Sequence, residues 1–488
     1  MRPSRTSSGL AAAGRRDGAG LSGQANDEAD GLPWPRRGFA VAAITCGNVV
    51  TGVDATIANV ALPTIGKALN VPDSQTVLVV TAYQLVLLVT VLPLSALGDR
   101  IGHRRMFMAG QVLFAAATAS CLLAHTLGAL VLVRCVQALG AAASVSVSSA
   151  LLRDAYPTRL LGRGLGFNTM MVTASLAASP SVAGAILSVA DWPWLFAAEL
   201  PLALLTLVFI PALPERTPTA EPFDRRSAGL CMGSLGAIGI GLELLVHGGA
   251  PELVLALVLL AAGGAIAIAL VRRMHGESRP LVPVDLFDVR TIRLTLIGLL
   301  PSYGAAIMAM IAVPFLLAHT FHLAPLAVGA TMSAWAIGMM IGSPLSGGLS
   351  DRIAPSLLGR VGILVAALAT AAAAAVPALM GANPLAVLVL AWTMAVAGGA
   401  YGFCYTSNVR LILTSAPRDR AGVGGSLVAV TRFAGQLLGA SGMAALLAAG
   451  ASGGGLGLGF AAVVAFSGLI VFMARDRRRS AAELVATN

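Results

Sequence analysis

Charge is what this sequence lacks. Only 11% of its 488 residues are charged, against roughly 25% in a soluble domain. Hydrophobic residues make up 57%, and mean hydropathy is +0.84. Polar surface is too scarce to cover a globule in water, which excludes a cytosolic enzyme. The net charge of +10 does not indicate nucleic-acid binding either, because the basic residues lie in short loops between apolar blocks and not on a basic face. Cysteine is sparse: Cys46, Cys121, Cys135, Cys231 and Cys404 all sit inside apolar stretches without a C-x-x-C pair. That argues against a disulfide framework and a zinc site. No P-loop is present, since Gly66-Lys67 continues as Ala68 without the upstream glycine or the Ser/Thr. ATP-driven work by this chain alone is therefore not expected. Nor is there a G-x-S-x-G motif, a zinc motif or a carboxylate pair at catalytic spacing, so neither an enzyme nor a bound cofactor is expected.

What is present is a series of apolar blocks of about 20 residues, the length that crosses a bilayer as helix. They predict fourteen helices near 38–62, 77–97, 106–125, 127–150, 165–189, 194–213, 228–248, 251–272, 293–317, 326–348, 359–380, 383–408, 421–448 and 455–474. Residues 1–37, rich in Arg, Gly, Ser and Ala without periodicity, read as a disordered tail. Arg36-Arg37-Gly38-Phe39 superficially matches a twin-arginine signal. The block that follows is too long for a signal segment and contains Asp54, so an uncleaved first helix is expected.

Arginine placement sets the orientation. Of 31 arginines, Arg134 and Arg432 lie in the interior of predicted helices, and the other 29 fall in the tails, the even-to-odd loops or the helix ends that border those loops. The opposite loops hold one basic residue, Lys67. The positive-inside rule then places both termini in the cytoplasm, and a bacterial inner membrane is the expected location. His319 and His322, in an arginine-poor loop, read as solvated side chains in preference to metal ligands.

A repeat appears at an offset of 252. Leu97-Gly98-Asp99-Arg100-Ile101 recurs as Leu349-Ser350-Asp351-Arg352-Ile353, each at the arginine-rich end of a block. Two homologous six-helix halves follow, residues 38–213 and 291–474, with two inserted helices and their loops over 214–290 and a tail over 475–488. Internal repeats of this kind build many secondary transporters.

Four segments stand out. The loop after helix 2 runs Leu97-Gly98-Asp99-Arg100-Ile101-Gly102-His103-Arg104-Arg105. Its glycines permit tight turns, Asp99 is a hydrogen-bond acceptor, and the arginines can pair with carboxylates or lipid phosphate. In helix 1, Asp54 begins the stretch Asp54-Ala55-Thr56-Ile57-Ala58-Asn59-Val60-Ala61-Leu62-Pro63. An intramembrane carboxylate costs roughly 2.5–3.5 kcal/mol on insertion scales and so marks a functional position; a desolvated Asp suits a proton carrier. Helix 4 carries Arg134-Cys135-Val136-Gln137-Ala138-Leu139-Gly140-Ala141-Ala142, where a permanent guanidinium demands a partner or water. Helix 5 carries Ser179-Pro180-Ser181-Val182-Ala183-Gly184, whose proline and small residues allow a bend and close helix contact. Trp192 and Trp194 beyond it suit an interfacial aromatic belt.

Together these segments resemble the major facilitator superfamily. The first is similar to its G-x-L-x-D-R-x-G-R-R signature, with Ser95 for the first glycine and His103 for an arginine. The helix-1 stretch resembles D-x-T-I-x-N-V-A-L-P of the fourteen-helix drug:proton antiporter branch. Helix 4 resembles R-x-x-Q-G-x-G-A-A, and helix 5 more weakly resembles G-P-x-x-G-G. Trp192 to Pro201 resembles W-R-W-x-F-x-x-N-x-P, with Pro193 for the arginine and Glu199 for the asparagine.

The resemblance implies an all-α membrane protein with the major facilitator fold: fourteen helices, working as a monomer and exchanging small lipophilic molecules against protons. It assigns proton coupling to Asp54 with Arg134. It makes a cytoplasmic gate of Gly98, Asp99, Arg100, Gly102, Arg104 and Arg105, with Asp351 and Arg352 in the second copy, and it makes Pro180 and Gly184 the antiporter segment of helix 5. Arg432 resembles the family's R-x-x-G segment and is expected to pair with the acidic loop of the repeat. Glu199 and Glu243, near the arginine-poor ends of helices 6 and 7, either attract cations in an outer vestibule or sit in interfacial water. An uptake symporter of the same fold is the close alternative, and a membrane sensor the distant one.

Overall fold

The computed structural model describes residues 31–215, 223–247, 249–275, 284–415, 421–450 and 454–486. Among the described residues there is no strand; the chain is helix joined by short turns. Backbone groups in hydrocarbon must be satisfied within the segment, and helices do that. The helices are α1 Arg36–Leu69, α2 Leu78–Ile101, α3 His103–Ser120, α4 Leu127–Ala155 and α5 Thr158–Val189. α6 is Leu200–Phe209, with short turns on either side at Pro193–Ala197 and Ile210–Ala212. Then come α7 Arg225–His247, α8 Ala250–Met274, α9 Arg290–Phe315, α10 Pro325–Leu349 and α11 Pro355–Met380. α12 Pro384–Ser415, α13 Ala421–Ala448 and α14 Gly455–Ala486 complete the bundle.

Thirteen spans among the described residues are long and apolar enough to cross a membrane. The fourteenth, α13, is 28 residues long but is diluted by Arg432, Gln436 and several glycines; it packs against α9, α2 and α7. Several boundaries differ from those read in the sequence. α1 continues through Pro63, because a proline in a long helix between packed neighbours is tolerated when the freed carbonyl finds other partners; it stops at Asn70, in the left-handed conformation at φ 53°. α14 runs past 474 to Ala486, so the stretch assigned to a tail continues the helix. Of the expected N-terminal tail, residues 1–30 lie outside the described residues. The chain is already packed at Leu32, whose N–H donates to the Ala155 carbonyl.

The repeat is visible in three dimensions. α1–α6 and α9–α14 form two halves, and the inserted pair α7–α8 packs together and docks through α7 on α2 and α13, thereby touching both halves. Only 22% of the α7 window and 17% of the α8 window are buried, against 78% for α9. The pair therefore stands at the periphery, while α9 runs through the middle.

The halves meet through α5 with α10, α2 with α13 and α1 with α9. The α5–α10 contact is the tightest, because both helices present glycine. A Cβ on Gly329 would fall 2.2 Å from the Pro180 carbonyl oxygen, and one on Gly184 would fall 2.6 Å from that of Pro325. Ser181 and Ser333 hydroxyls hydrogen-bond across this seam at 2.7 Å. Further along the same arginine-poor end, His319 Nδ1 lies 3.5 Å from an Asp73 carboxylate oxygen. His319, read in the sequence as a solvated loop residue, is thus part of a contact that joins the two halves. At this end the two halves are in contact.

Candidate proton-coupling site

Asp54 lies mid-way along α1 and Arg134 two turns into α4. Both are withdrawn from solvent, at 0% and 1% exposure, and they form an ion pair. The guanidinium is held from several sides. Its Nη1 also donates to Gln137 Oε1 at 2.7 Å, and its Nη2 reaches the Asp54 carbonyl at 3.4 Å. Gln137 donates in turn to Thr118 of α3 at 2.9 Å. The Tyr83 and Phe196 rings lie 4.2 and 5.3 Å from the guanidinium carbon, so aromatic faces cover the charge where no hydrogen-bond acceptor does. Arg134 therefore turns inward to Asp54 and does not reach toward the membrane surface.

Asp54 Oδ2 and Arg134 Nε lack a well-aligned hydrogen bond, and the Tyr83 hydroxyl is the neighbour that interacts with the Asp54 carboxyl. The carboxylate thus keeps one oxygen free for a proton while the other is held. Below Asp54 on the same face of α1, at three-residue spacing, stand Thr51 and Asn48. Asn48 donates to Asn168 of α5 at 3.2 Å and accepts from Ser148 of α4 at 2.8 Å. A polar track thus leads from Asp54 toward the arginine-rich end.

Glu199 is placed differently from either sequence reading. It sits at the entry to α6 near the arginine-poor end, but it is buried, at 4% exposure, with neither carboxylate oxygen hydrogen-bonded. It is within electrostatic reach of Asp54 and Arg134. Interfacial water is not its surrounding. Position alone could not show this, because the helix break around 198–199 turns the residue inward. Glu243 is hydrogen-bonded to Ser441, tying α7 to α13.

The loop after α2 folds as its glycines require. Gly98 brings α2 against α4, since a Cβ there would fall 2.5 Å from Val147 Cγ1. Gly102, at φ 97°, makes the single-residue turn into α3, a conformation that L side chains rarely adopt. Asp99, exposed, pairs with His103 at 2.8 Å, and His103 Nδ1 lies 3.9 Å from Asp154. Arg104 pairs with Glu215, while Arg100 and Arg105 are exposed. In the second copy, Asp351 accepts from Arg410 of α12 at 2.6 Å, and Arg352 is exposed. The partner expected for Asp351 was Arg432. That residue instead stands over the Phe433 ring at 4.6 Å, one turn from the glycines that bring α13 against α9.

A further charged residue escaped the sequence reading. Arg475, assigned there to the tail, is buried and donates to Thr295 at 3.0 Å, to Asn408 at 2.9 Å and to the Ser356 carbonyl at 3.2 Å. Its neighbour Asp476 pairs with Arg360 at 2.9 Å. These bonds fasten α9, α11, α12 and α14 together. The Asp476 beside a run of arginines was the available signal.

Two six-helix halves that meet along α5 and α10, with an ion pair buried inside the first half, are the arrangement of a membrane transporter. The chain belongs to the Major Facilitator Superfamily, whose model matches residues 44–440 and 295–486. It is 35% identical over 432 residues to the uncharacterized transporter YebQ of Escherichia coli K12, covering 86% of this chain and 91% of that one. It is 28% identical over 444 residues to the tetracenomycin C resistance and export protein of Streptomyces glaucescens, covering 88% and 79%. Among solved structures it shares the fold of a bacterial homolog of the human lysosomal transporter Spinster. The TM-score is 0.65 at 17% identity, over 91% of this chain and 98% of that one.

Proposed function

We propose that this protein is a proton-coupled antiporter that exports lipophilic small molecules across the cytoplasmic membrane by alternating access. The observation that carries the reading is the buried Asp54–Arg134 pair in the half-molecule beside the closed seam. A carboxylate held by a single guanidinium through one oxygen has two stable arrangements. Ionised, it keeps Arg134 and ties α1 to α4. Protonated, it has no charge to hold the arginine, and α1 and α4 are free to shift relative to each other. A proton arriving from the arginine-poor side and leaving toward the arginine-rich side biases the halves between their two closures, as a ligand that binds one state better must.

Export is favoured over uptake by the helix-1 and helix-5 segments and by the export function named for the Streptomyces relative. Asp99 with Arg100, and Asp351 with Arg352, are the charged loops that meet or part at the arginine-rich end.

The test uses everted membrane vesicles energised to an acid interior, with a fluorescent lipophilic dye added to the medium. Wild-type protein should accumulate the dye, and collapsing the pH gradient should release it. Asp54→Asn, at equal expression, should lose the gradient-dependent component. Wild-type accumulation in Asp54→Asn would remove Asp54 from coupling, and dye leaving preloaded vesicles together with the protons would favour symport.

A further inference from the structure

The chain buries a second carboxylate at the same site, and its placement has consequences for how many protons the site holds. Glu199 lies at the break between the Pro193–Ala197 turn and α6, where the chain bends back into the bundle. Both of its carboxylate oxygens are sealed from solvent without a hydrogen-bond partner. It makes no capping bond to the helix it precedes. The titratable groups within its electrostatic reach are Asp54 of α1, Tyr83 of α2, Cys121 after α3 and Arg134 of α4. Only one of these is a cation, and that cation is already engaged by Asp54 and Gln137.

An ionised carboxylate in such a place has neither a protein donor nor a counter-ion of its own. The effective penalty for burying an unpaired ion is several kcal/mol, which a bound proton removes. Asp54 does not face that penalty, because Arg134 holds it. With two carboxylates and one guanidinium, the neutral arrangement has one proton, on the carboxyl that Arg134 does not hold.

We infer that Glu199 is a second proton-binding site, which shares Arg134 with Asp54 so that the cluster carries one proton at rest and two when Asp54 is protonated. The first proton resides on Glu199. When a second reaches the free Oδ2 of Asp54, the guanidinium is released from Asp54, and Glu199 is the remaining carboxyl that can take its place by giving up its proton. No bond other than O–H is made or broken: one proton binds a carboxylate oxygen and one leaves another. The resemblance pattern has asparagine at this position, so the second site is a property of this chain. The inference rests on the antiport reading for its use in transport, but not for its proton occupancy.

Occupancy can therefore be tested without any substrate. Purified full-length protein in detergent at neutral pH should show the infrared C=O stretch of a protonated carboxylic acid, a band distinct from those of carboxylates. Glu199→Gln should lose it, and Asp54→Asn should lose it too, because Glu199 is then the carboxylate left to balance Arg134. On acidification wild type should gain a second acid band, whereas Asp54→Asn should gain a single one, from Glu199. Should Glu199→Gln fail to fold, wild-type protein grown with carboxyl-labelled [13C]glutamate should show the neutral-pH band shifted, whereas [13C]aspartate should leave it in place. Absence of the band in wild type at neutral pH, or a band indifferent to the glutamate label, would overturn the inference. Loss of coupling in the vesicle assay with the band intact would overturn the antiport reading and leave Glu199 as a proton site.

Discussion

A guanidinium in a membrane helix keeps its charge at any physiological pH, so everything around Arg134 is arranged to make that charge tolerable. Removing it leaves Asp54 buried and uncompensated, and breaking a buried pair from one side costs about 3–5 kcal/mol. Arg134→Ala is therefore expected to lower the melting temperature in detergent sharply. Asp54→Asn/Arg134→Gln should recover part of that loss while remaining inactive. Equal stability of Arg134→Ala and wild type would mean that the pair is not closed in the folded protein. Asp54 and Arg134 were legible in the sequence because intramembrane charges are rare and conspicuous. Gln137, Thr118, Tyr83 and Phe196 were not, since a glutamine, a threonine and two aromatics on apolar helices look the same whether they face a charge or a neighbour. Glu199 was noticed but misplaced, because apolar patterning locates a residue along a helix and not the direction in which a helix break turns it.

At the scale of elements, the seam between α5 and α10 depends on two glycines and a proline carbonyl. Hydropathy had shown where both helices lie, but the register that sets Gly184 against Gly329 is a tertiary fact, written in two segments about 145 residues apart. Because the Ser181 and Ser333 hydroxyls are 2.7 Å apart, Ser181→Cys/Ser333→Cys should form a disulfide under mild oxidation. The bridge should hold the arginine-poor end closed, so transport is expected to stop on oxidation and return with dithiothreitol. Full transport by the fully bridged protein would show that this seam need not open. The loop after α2 belongs to the opposite end, away from the ion pair, and Asp99 there touches only its own turn at His103. Asp99→Asn should consequently slow dye export by everted vesicles while leaving dye binding in detergent close to wild type. Lost binding at normal stability would place Asp99 in the binding site instead.

Across the whole molecule, one asymmetry orders everything else: the closed seam, Lys67 and the Asp73–His319 contact share one end, and the arginines of the tails and even-to-odd loops share the other. The positive-inside rule predicts that the second end is cytoplasmic, and the direction of proton entry in the proposed antiport would follow from it. The fold corroborates the count, because the even number of spans returns the chain to the end where it began, and an extra or missing helix would have scattered the later arginines over both ends. Arg475 adds a refinement: it belongs to the charge count at the arginine-rich end, yet it is a buried fastening of four helices, which a loop-based count cannot distinguish from an exposed charge. Orientation can be checked with single exposed cysteines in a background where the five native ones are replaced by alanine or serine. Ala382→Cys lies in the turn between α11 and α12, and Ile353→Cys in the turn between α10 and α11. In intact cells a membrane-impermeant maleimide should label Ala382→Cys and spare Ile353→Cys, and in everted vesicles the pattern should reverse. The opposite pattern would turn the molecule over, and the closed seam would then face the cytoplasm, with the proton path running the other way.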